Sequence, residues 1–359
     1  MIKESLLAYP APLGSAVKTG EFCFAAVGLA HSHIYGMCAG LIAAGATLTW
    51  VYEEDAALLT AFCKKYPTVR VARCYEEILS DPRVALVASA AIPSERAAIG
   101  ITAMRCGKDY LCDKAPFVTA EALEEARRAV LETERKYAVF YSERCGSESG
   151  EYAGLLIERG AIGRVLNVTG LGPHQHHISP RAPWFYERRA SGGILIDIGS
   201  HQFEQFLYYT GNERAYINNA RIANYANPEH PEFDDFGDCT LTGENGAVGY
   251  FRTDWFAPSS VPAFGDGRTV ILGTEGYIEL RKYHDAATGA RDVVLISNAD
   301  GTECRSVAGK VGTPFFYHLI RDCIDRTETA MTQEHTFAAA ALSIEAQRVA
   351  VDVSPVGHR

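Results

Sequence analysis

A chain of 359 residues exceeds what one hydrophobic core usually organises, so two domains are expected. Apolar residues at 47% and charged residues at 22% describe an ordinary globular protein that folds without metals or disulfides. A formal charge of −10 with no basic run excludes nucleic acid and anionic membrane as partners, since both demand a concentrated positive face; a neutral or small substrate fits better.

Ten cysteines are scattered from Cys23 to Cys323 with no Cys-x-x-Cys pair, which suits neither a zinc cluster nor a secreted disulfide framework. No apolar run approaches the ~20 residues that cross a bilayer. Residues 1–20, with Lys3, Glu4, Pro10, Pro12 and Gly14, lack the pattern of a secretory signal and read as a loose N-terminal arm. A cytoplasmic protein is expected.

Phe22 to Val27 is a short, continuously apolar run ending at Gly28, as in a buried parallel strand. A helical pattern with Met37, Leu41 and Ala44 follows, closed by Gly45, and a second strand, Leu48 to Tyr52, ends at Glu53. Strand, glycine turn, helix, strand and acid is the order of a dinucleotide-binding unit, with phosphates on the helix N-terminus and the acid on a ribose hydroxyl. Of the G-x-G-x-x-G pattern only Gly28 is met, because Ala30 and His33 hold the second and third places. His33 either loosens helix packing or turns toward the cofactor, beside His31. Glu53, Glu54 and Asp55 would repel the extra phosphate of NADP, which favours NAD.

The alternation continues with a helix over 56–65, a strand over 69–72, a helical turn over 75–79 and a buried strand over 84–90. Ala90, Pro93 and Glu95 then stand at a strand's carboxyl end, where ligands of doubly wound sheets collect. A helix over 95–106 leads to a strand over 109–112, whose tip carries Asp113 and Lys114 on the cofactor's side. A charged amphipathic helix over 119–135 and a strand over 137–141 complete a Rossmann domain, 21–145, and Gly146 to Gly150 reads as a linker.

Residues 146–359 change character. Asn245-Gly246 between two β-type runs is a strong hairpin signal, and Gly273 to Gly276 joins a second pair. Helices are expected near 315–325 and 334–350. The fold class is therefore α/β: a doubly wound parallel sheet followed by an α+β domain with a large, mostly antiparallel sheet. Within it, Asp197 and His201 stand four apart after Gly192-Gly193, in a segment that suits a helix, so carboxylate and imidazole leave one face as a potential acid/base device. The segment Gly172 to His177, with His174 and His176, runs on to Arg181, Trp184, Phe185 and Tyr186, groups that suit a ring bearing several hydroxyls. Arg144 is a further substrate-binding candidate, with Asp254, Trp255 and His318 as secondary ones.

The Rossmann half, the Asp113-Lys114-x-Pro116 strand tip, the phrase Gly160-Ala161-Ile162-Gly163-Arg164-Val165 and the Gly192-Gly193 approach to Asp197-x-x-x-His201 together resemble the Gfo/Idh/MocA family, over about residues 21–350. The resemblance implies an NAD(P)-dependent oxidoreductase that transfers hydride at a secondary hydroxyl of a sugar, polyol or glycoside. It places Lys114 between nicotinamide and substrate hydroxyl, makes His201 the proton acceptor and has Asp197 orient the lysine or substrate. Two departures stand out: Asp113 replaces the usual glutamate, and Ala115 stands where proline usually follows the lysine, so the backbone at Lys114 is open.

Other readings remain at this point. The same fold could use a transient NAD redox step for glycoside elimination with no net change in NADH; His174, His176 and His177 could ligate a hydrolytic metal, although no resident metal is expected; or the chain could be a non-catalytic NAD-binding sensor. The second domain's sheet has a face needing cover, so a homodimer or homotetramer through it is expected.

Overall fold

The computed structural model describes residues 2–176 and 181–355. The chain divides into two compact units: Leu13–Phe140 with Pro314–Phe337, and Met1–Pro12 with Tyr141–Thr313 and Ala338–Arg359.

In the first unit, β1 (Cys23–Val27), β2 (Thr47–Tyr52), β3 (Arg70–Val71), β4 (Val84–Ser89), β5 (Asp109–Asp113) and β6 (Tyr137–Phe140) form one parallel sheet in the order β3-β2-β1-β4-β5-β6. Helices cover both faces of such a sheet, which is why its central strands are apolar throughout: Phe24, Ala25, Ala26, Leu86, Val87, Tyr110 and Leu111 are fully buried. The crossover helices start where the local chemistry directs. Asp55 accepts from Ala57 N–H and Leu58 N–H to open Ala56–Lys65, Pro93 occupies the first turn of Pro93–Arg105, and Thr119 caps Ala120–Thr133. The strand order reverses between β1 and β4, the switch point at which ligands of this fold collect.

The domain division differs from the single cut expected at 145/146. Helix Phe315–Asp325 belongs to the parallel-sheet unit, where the Phe316 ring lies 4.8 Å from that of Phe140 and fills the space a Cβ on Gly40 would need. Arg326 forks onto Asp109 with two bonds of 2.7 Å, and the Gln333 side chain pairs with the backbone of Tyr137. These contacts span about 200 residues of sequence, which no local pattern reports.

The second unit holds β7 (Val165–Pro173), β8 (Ala215–Ala223), β9 (Phe236–Gly243), β10 (Val248–Asp254), β11 (Arg268–Gly273), β12 (Gly276–Arg281), β13 (Val293–Asn298), β14 (Gly301–Ser306) and β15 (Val351–Asp352). Their order is β14-β13-β12-β11-β7-β10-β9-β8-β15, antiparallel except for the β7/β10 and β8/β15 pairs. Asn245-Gly246 turns β9 into β10, with Gly246 at φ +83°. Helix Gly199–Thr210 lies on β7 and β10, its Phe203 edge-on to Phe251 at 4.8 Å. On the opposite face the register aligns exposed Val248 and Leu272 with Asn167 in one row, and exposed Tyr250 and Val270 with Thr169 in the next.

Three local expectations are corrected. The N-terminal arm is not loose: Ile2 and Leu7 are buried, and the Tyr152 hydroxyl donates to the Leu7 carbonyl at 2.6 Å. The expected linker over 146–150 opens helix Glu148–Glu158, with Ser147 accepting from Gly150 N–H. The helix expected through 194–201 is two: Ile194–Asp197 and Gly199–Thr210, separated at Ile198. No helix among the described residues is long and apolar enough to cross a membrane.

Candidate functional site

In the parallel-sheet unit the loops after β1, β4 and β5 meet. Gly28 has φ +71°, and a Cβ there would stand 2.6 Å from that of Ala91, so this turn needs glycine on two counts. The Gly28 N–H donates to the Tyr52 carbonyl at 3.1 Å and its carbonyl accepts from Ala90 N–H at 3.0 Å, while His31 N–H donates to the Ala90 carbonyl at 2.8 Å. Helix His33–Ala43 begins directly afterwards with no acidic residue in its first turn, so the positive end of its dipole favours an anion. Glu53 ends β2 as expected, and its carboxylate accepts from Leu29 N–H at 2.6 Å and from Asp55 N–H at 2.9 Å, which fixes it beside the glycine turn. Burial, then Glu53 and Glu54, raise the pKa of Glu95 on the neighbouring helix. The glycine cradle, the amide end and the fixed acid fit a dinucleotide.

His33 meets a carboxylate: its Nδ1 lies 2.9 Å from Asp113 Oδ1, and the His31 and His33 rings sit 4.0 Å apart. Asp113 is fully buried. Burial alone would raise its pKa, but His33 and the Arg96 guanidinium outweigh that and hold it well below the usual carboxylate range. Burial, with His33, Lys114 and Arg96 adding to it, keeps the His31 imidazole neutral. Ligand atoms of His31, His33 and Asp113 fall within 4.8 Å of one another, a spacing open to a metal. The carboxylate is already engaged by Arg96, however, and a second cation there would meet that charge at close range.

Arg96, which the sequence reading passed over, organises the strand tip. It is 1% exposed, and it donates through Nε to the Ala91 carbonyl at 2.7 Å and through Nη1 to the carbonyls of Asp113, Lys114 and Ala115. Lys114 is thus presented by a turn whose three successive carbonyls share one guanidinium. The Lys114–Ala115 peptide is cis.

In the second unit, Asp197 ends one short helix and His201 lies in the first turn of the next, buried. One turn on, Gln205 Nε2 donates to the His201 carbonyl at 2.9 Å and lies 3.4 Å from Glu143. Glu143 is 2% exposed and takes Gln202 Nε2 at 3.0 Å and Lys282 Nζ at 3.2 Å on the same oxygen, while its other oxygen lies 3.9 Å from His174 Nε2. Burial pushes the Glu143 carboxyl up, but Lys282, His201 and His174 overcome this and hold it at about 2. A permanent buried anion therefore bears on both histidines. Glu143 and Lys282, 139 residues apart, carried no signal in the sequence.

The aromatic segment assembles around Trp255, a secondary candidate in the sequence. Its ring lies 5.6 Å from His174, 6.1 Å from His176 and 5.2 Å from Phe185. Tyr186 bonds to His176 Nε2 at 3.2 Å and stacks on His230 at 3.6 Å. Phe185, Trp255 and Asp197 line one small pocket, and Arg181 stacks over Phe185 and Trp255. Trp184 lies half-exposed, 6.2 Å from Phe185. His177 lies outside the described residues, and His174 and His176 belong to no ligand cluster among the described residues. Arg144 is a correction: it is buried, paired with Glu204 at 2.6 Å and Glu151 at 3.1 Å and stacked on Tyr208, so its donors are spent within the protein. Asp254 is likewise taken by Arg252 at 2.8 Å, and His318 belongs to the parallel-sheet unit.

These features define a class, the dinucleotide-fold proteins that carry a second unit built on a large mixed sheet. Comparison with known proteins specifies it. Residues 152–279 match the GFO/IDH/MocA C-terminal domain model. A candidate oxidoreductase of known structure from Erwinia carotovora atroseptica SCRI1043 is 48% identical with a TM-score of 0.90, over 92% of this chain and 99% of that one. A levoglucosan dehydrogenase from Pseudarthrobacter phenanthrenivorans is 29% identical over 44% of this chain and 40% of its own length. A structure of levoglucosan dehydrogenase with NADH and levoglucosan shares the fold, at 20% identity and TM-score 0.71, over 91% of this chain and 97% of that one. The matched stretches span 39% to 57% of the curated relatives' lengths. The chain belongs to the Gfo/Idh/MocA family of oxidoreductases.

Proposed function

We propose that this protein interconverts a secondary hydroxyl and a ketone on a sugar or polyol with a nicotinamide dinucleotide, NAD in preference to NADP. The observation that carries this reading is the presentation of Lys114 at the tip of β5 by Arg96, on the sheet edge that also bears the Gly28 turn and Glu53. Gly28, Ala30, His31 and the amide end of helix His33–Ala43 would hold the diphosphate, and Glu53 a ribose hydroxyl. Ala90, Pro93 and Glu95 would border the same ligand. The nicotinamide supplies the two-electron acceptor or donor.

The protein's own residues handle the proton. His201 accepts it from the substrate hydroxyl, a step that a placed base accelerates by ~10²- to 10⁴-fold. The Lys114 ammonium stabilises the developing alkoxide, and Asp197 orients the lysine or the substrate. Glu143 favours the protonated imidazole that this transfer creates. His174, His176, Tyr186, Trp184 and Trp255 offer the donors and flat faces that a polyhydroxylated ring requires. Levoglucosan dehydrogenase, which is similar in sequence and fold, supports a carbohydrate substrate. The exposed Val248, Tyr250, Val270 and Leu272 rows fit a second copy of the chain, and ten unpaired thiols suit the cytoplasm.

The test is a panel of aldoses, inositols, polyols and glycosides with NAD, read as NADH absorbance alongside product analysis. Lys114→Ala and His201→Ala should each lower kcat by at least ~10²-fold while nucleotide binding persists. Full turnover in either variant overturns the assignment.

A further inference from the structure

Arg181 is half-buried, yet its Nε and Nη2 atoms are fully shielded and take no hydrogen-bond partner. Buried donors left unmatched are rare, because each forfeits its bond to water without replacement. Aromatic rings surround the guanidinium: its carbon stands 4.7 Å from the Phe185 ring centroid, 5.0 Å from Trp255 and 5.7 Å from Phe264. Rings at 76° to one another on two sides of the cation hold it by its charge, and no ring of that cage offers the two nitrogens an oxygen acceptor.

The two unmatched atoms lie on one edge, and the same chain shows what that edge takes. Arg83 uses Nε and Nη2 to fork onto both oxygens of Asp81 at 3.1 and 2.8 Å, and Arg348 does the same to Glu345 at 2.9 and 2.7 Å. Two parallel bonds to a planar oxyanion are the arrangement this edge is shaped for. At Arg181 no carboxylate among the described residues fills it. The rings that hold the cation, Phe185 and Trp255, also line the pocket that contains Asp197.

We propose that Arg181 is an anion-binding subsite, taking two oxygens of a carboxylate or phosphate carried by the sugar substrate. The inference rests on the carbohydrate reading above and narrows it to an acidic sugar: a uronate or aldonate, or a sugar phosphate. The aromatic cage sets the guanidinium before the ligand arrives, so little ordering accompanies binding. Asp197 bears on Arg181 from the same pocket and opposes the effect of burial, so the cation is partly screened but retained.

Calorimetry on the NAD-loaded protein tests this with matched ligands: glucuronate and gluconate against glucose and glucitol, with glucose 6-phosphate as the phosphate arm. One anionic arm should bind roughly 10- to 100-fold more tightly than its neutral counterpart, the gain expected of hydrogen bonds to a charged group. Arg181→Gln should erase that preference and leave neutral ligands within about threefold, while Arg181→Lys, which keeps charge but not the fork, should retain only part of it. Unchanged melting temperatures confirm that the cage persists in both variants. Equal binding of charged and neutral partners, or an equal loss for both in Arg181→Gln, overturns the subsite. Binding of charged sugars through Arg181 with no turnover of any sugar or polyol in the panel leaves the subsite standing and counts against the proposed reaction; turnover of neutral polyols that ignores Arg181→Gln, with no preference for charged ones, does the reverse.

Discussion

Replacing Arg96 by methionine keeps an unbranched apolar stem and removes every donor, which isolates the part this residue plays under Lys114. In the wild type, one buried guanidinium meets the Ala91 carbonyl at 2.7 Å, the Asp113 and Ala115 carbonyls at 3.1 and 3.0 Å, the Lys114 carbonyl, and Asp113 Oδ2 at 3.3 Å. Arg96→Met leaves four buried carbonyls to find new donors and leaves the Asp113 carboxylate without its guanidinium, with the His31 and His33 rings as its remaining close neighbours. Removing one member of a buried ion pair costs ~3 to 5 kcal/mol. That is a fall of roughly a hundredfold to several thousandfold in the folding constant. Urea unfolding followed by tryptophan fluorescence should show it as a lower midpoint at unchanged slope. Asp113→Asn added to Arg96→Met should recover ~1 kcal/mol or more, since the second change removes the stranded charge. Because the Lys114 carbonyl is released with the rest, kcat should fall further than nucleotide affinity in whatever protein remains folded. A loss below ~1 kcal/mol in Arg96→Met, or no recovery in the double variant, would refute the claim that this cation holds the strand tip together.

Asp234 gives a pH signature of the opposite kind. Burial lifts its carboxyl to about 6, against Arg188 and a bond from Gln347, while an unfolded aspartate titrates near ~3.9. The folded state therefore holds this proton more tightly than the unfolded one. Stability from this group is fully present below about pH 4 and is lost as pH rises through about 6, by roughly 3 kcal/mol. Urea midpoints between pH 4 and 7 should fall in the wild type and flatten in Asp234→Asn; parallel curves would count against it. Leu272→Asp, at the centre of the exposed rows on the large sheet, should convert a dimer or tetramer to monomer in light scattering with little change in melting temperature, and an unaltered mass would remove that face from consideration.

Much of the architecture was legible because its causes are local. Continuous apolar strands, Asp55 and Thr119 before helices, and the Asn245-Gly246 turn act over a few residues, and β1, β5 and the helices near 315 and 333 lie within two residues of where the pattern put them. The family phrases that point to Lys114, Asp197 and His201 are local in the same way: each is a short string with its own spacing. Where the reading went astray, the cause was a competing long-range contact. Arg144 looked like a ligand for substrate until Glu204, sixty residues on, claimed it, and the linker at 146–150 became helix once Ser147 capped it.

Composition and periodicity therefore determined that this chain would build a doubly wound parallel sheet and then a hairpin-rich unit, since hydrophobic spacing and turn chemistry act between near neighbours. Only the tertiary structure decided that residues 314–337 return to the first unit, that Arg96 grips three consecutive carbonyls, that Glu143 and Lys282 pair beneath two histidines, and that Arg181 keeps one edge unmatched inside an aromatic cage. The last three are charges taken out of water, and what a buried charge will pair with depends on which groups the fold brings within about 4 Å, wherever they stand along the chain.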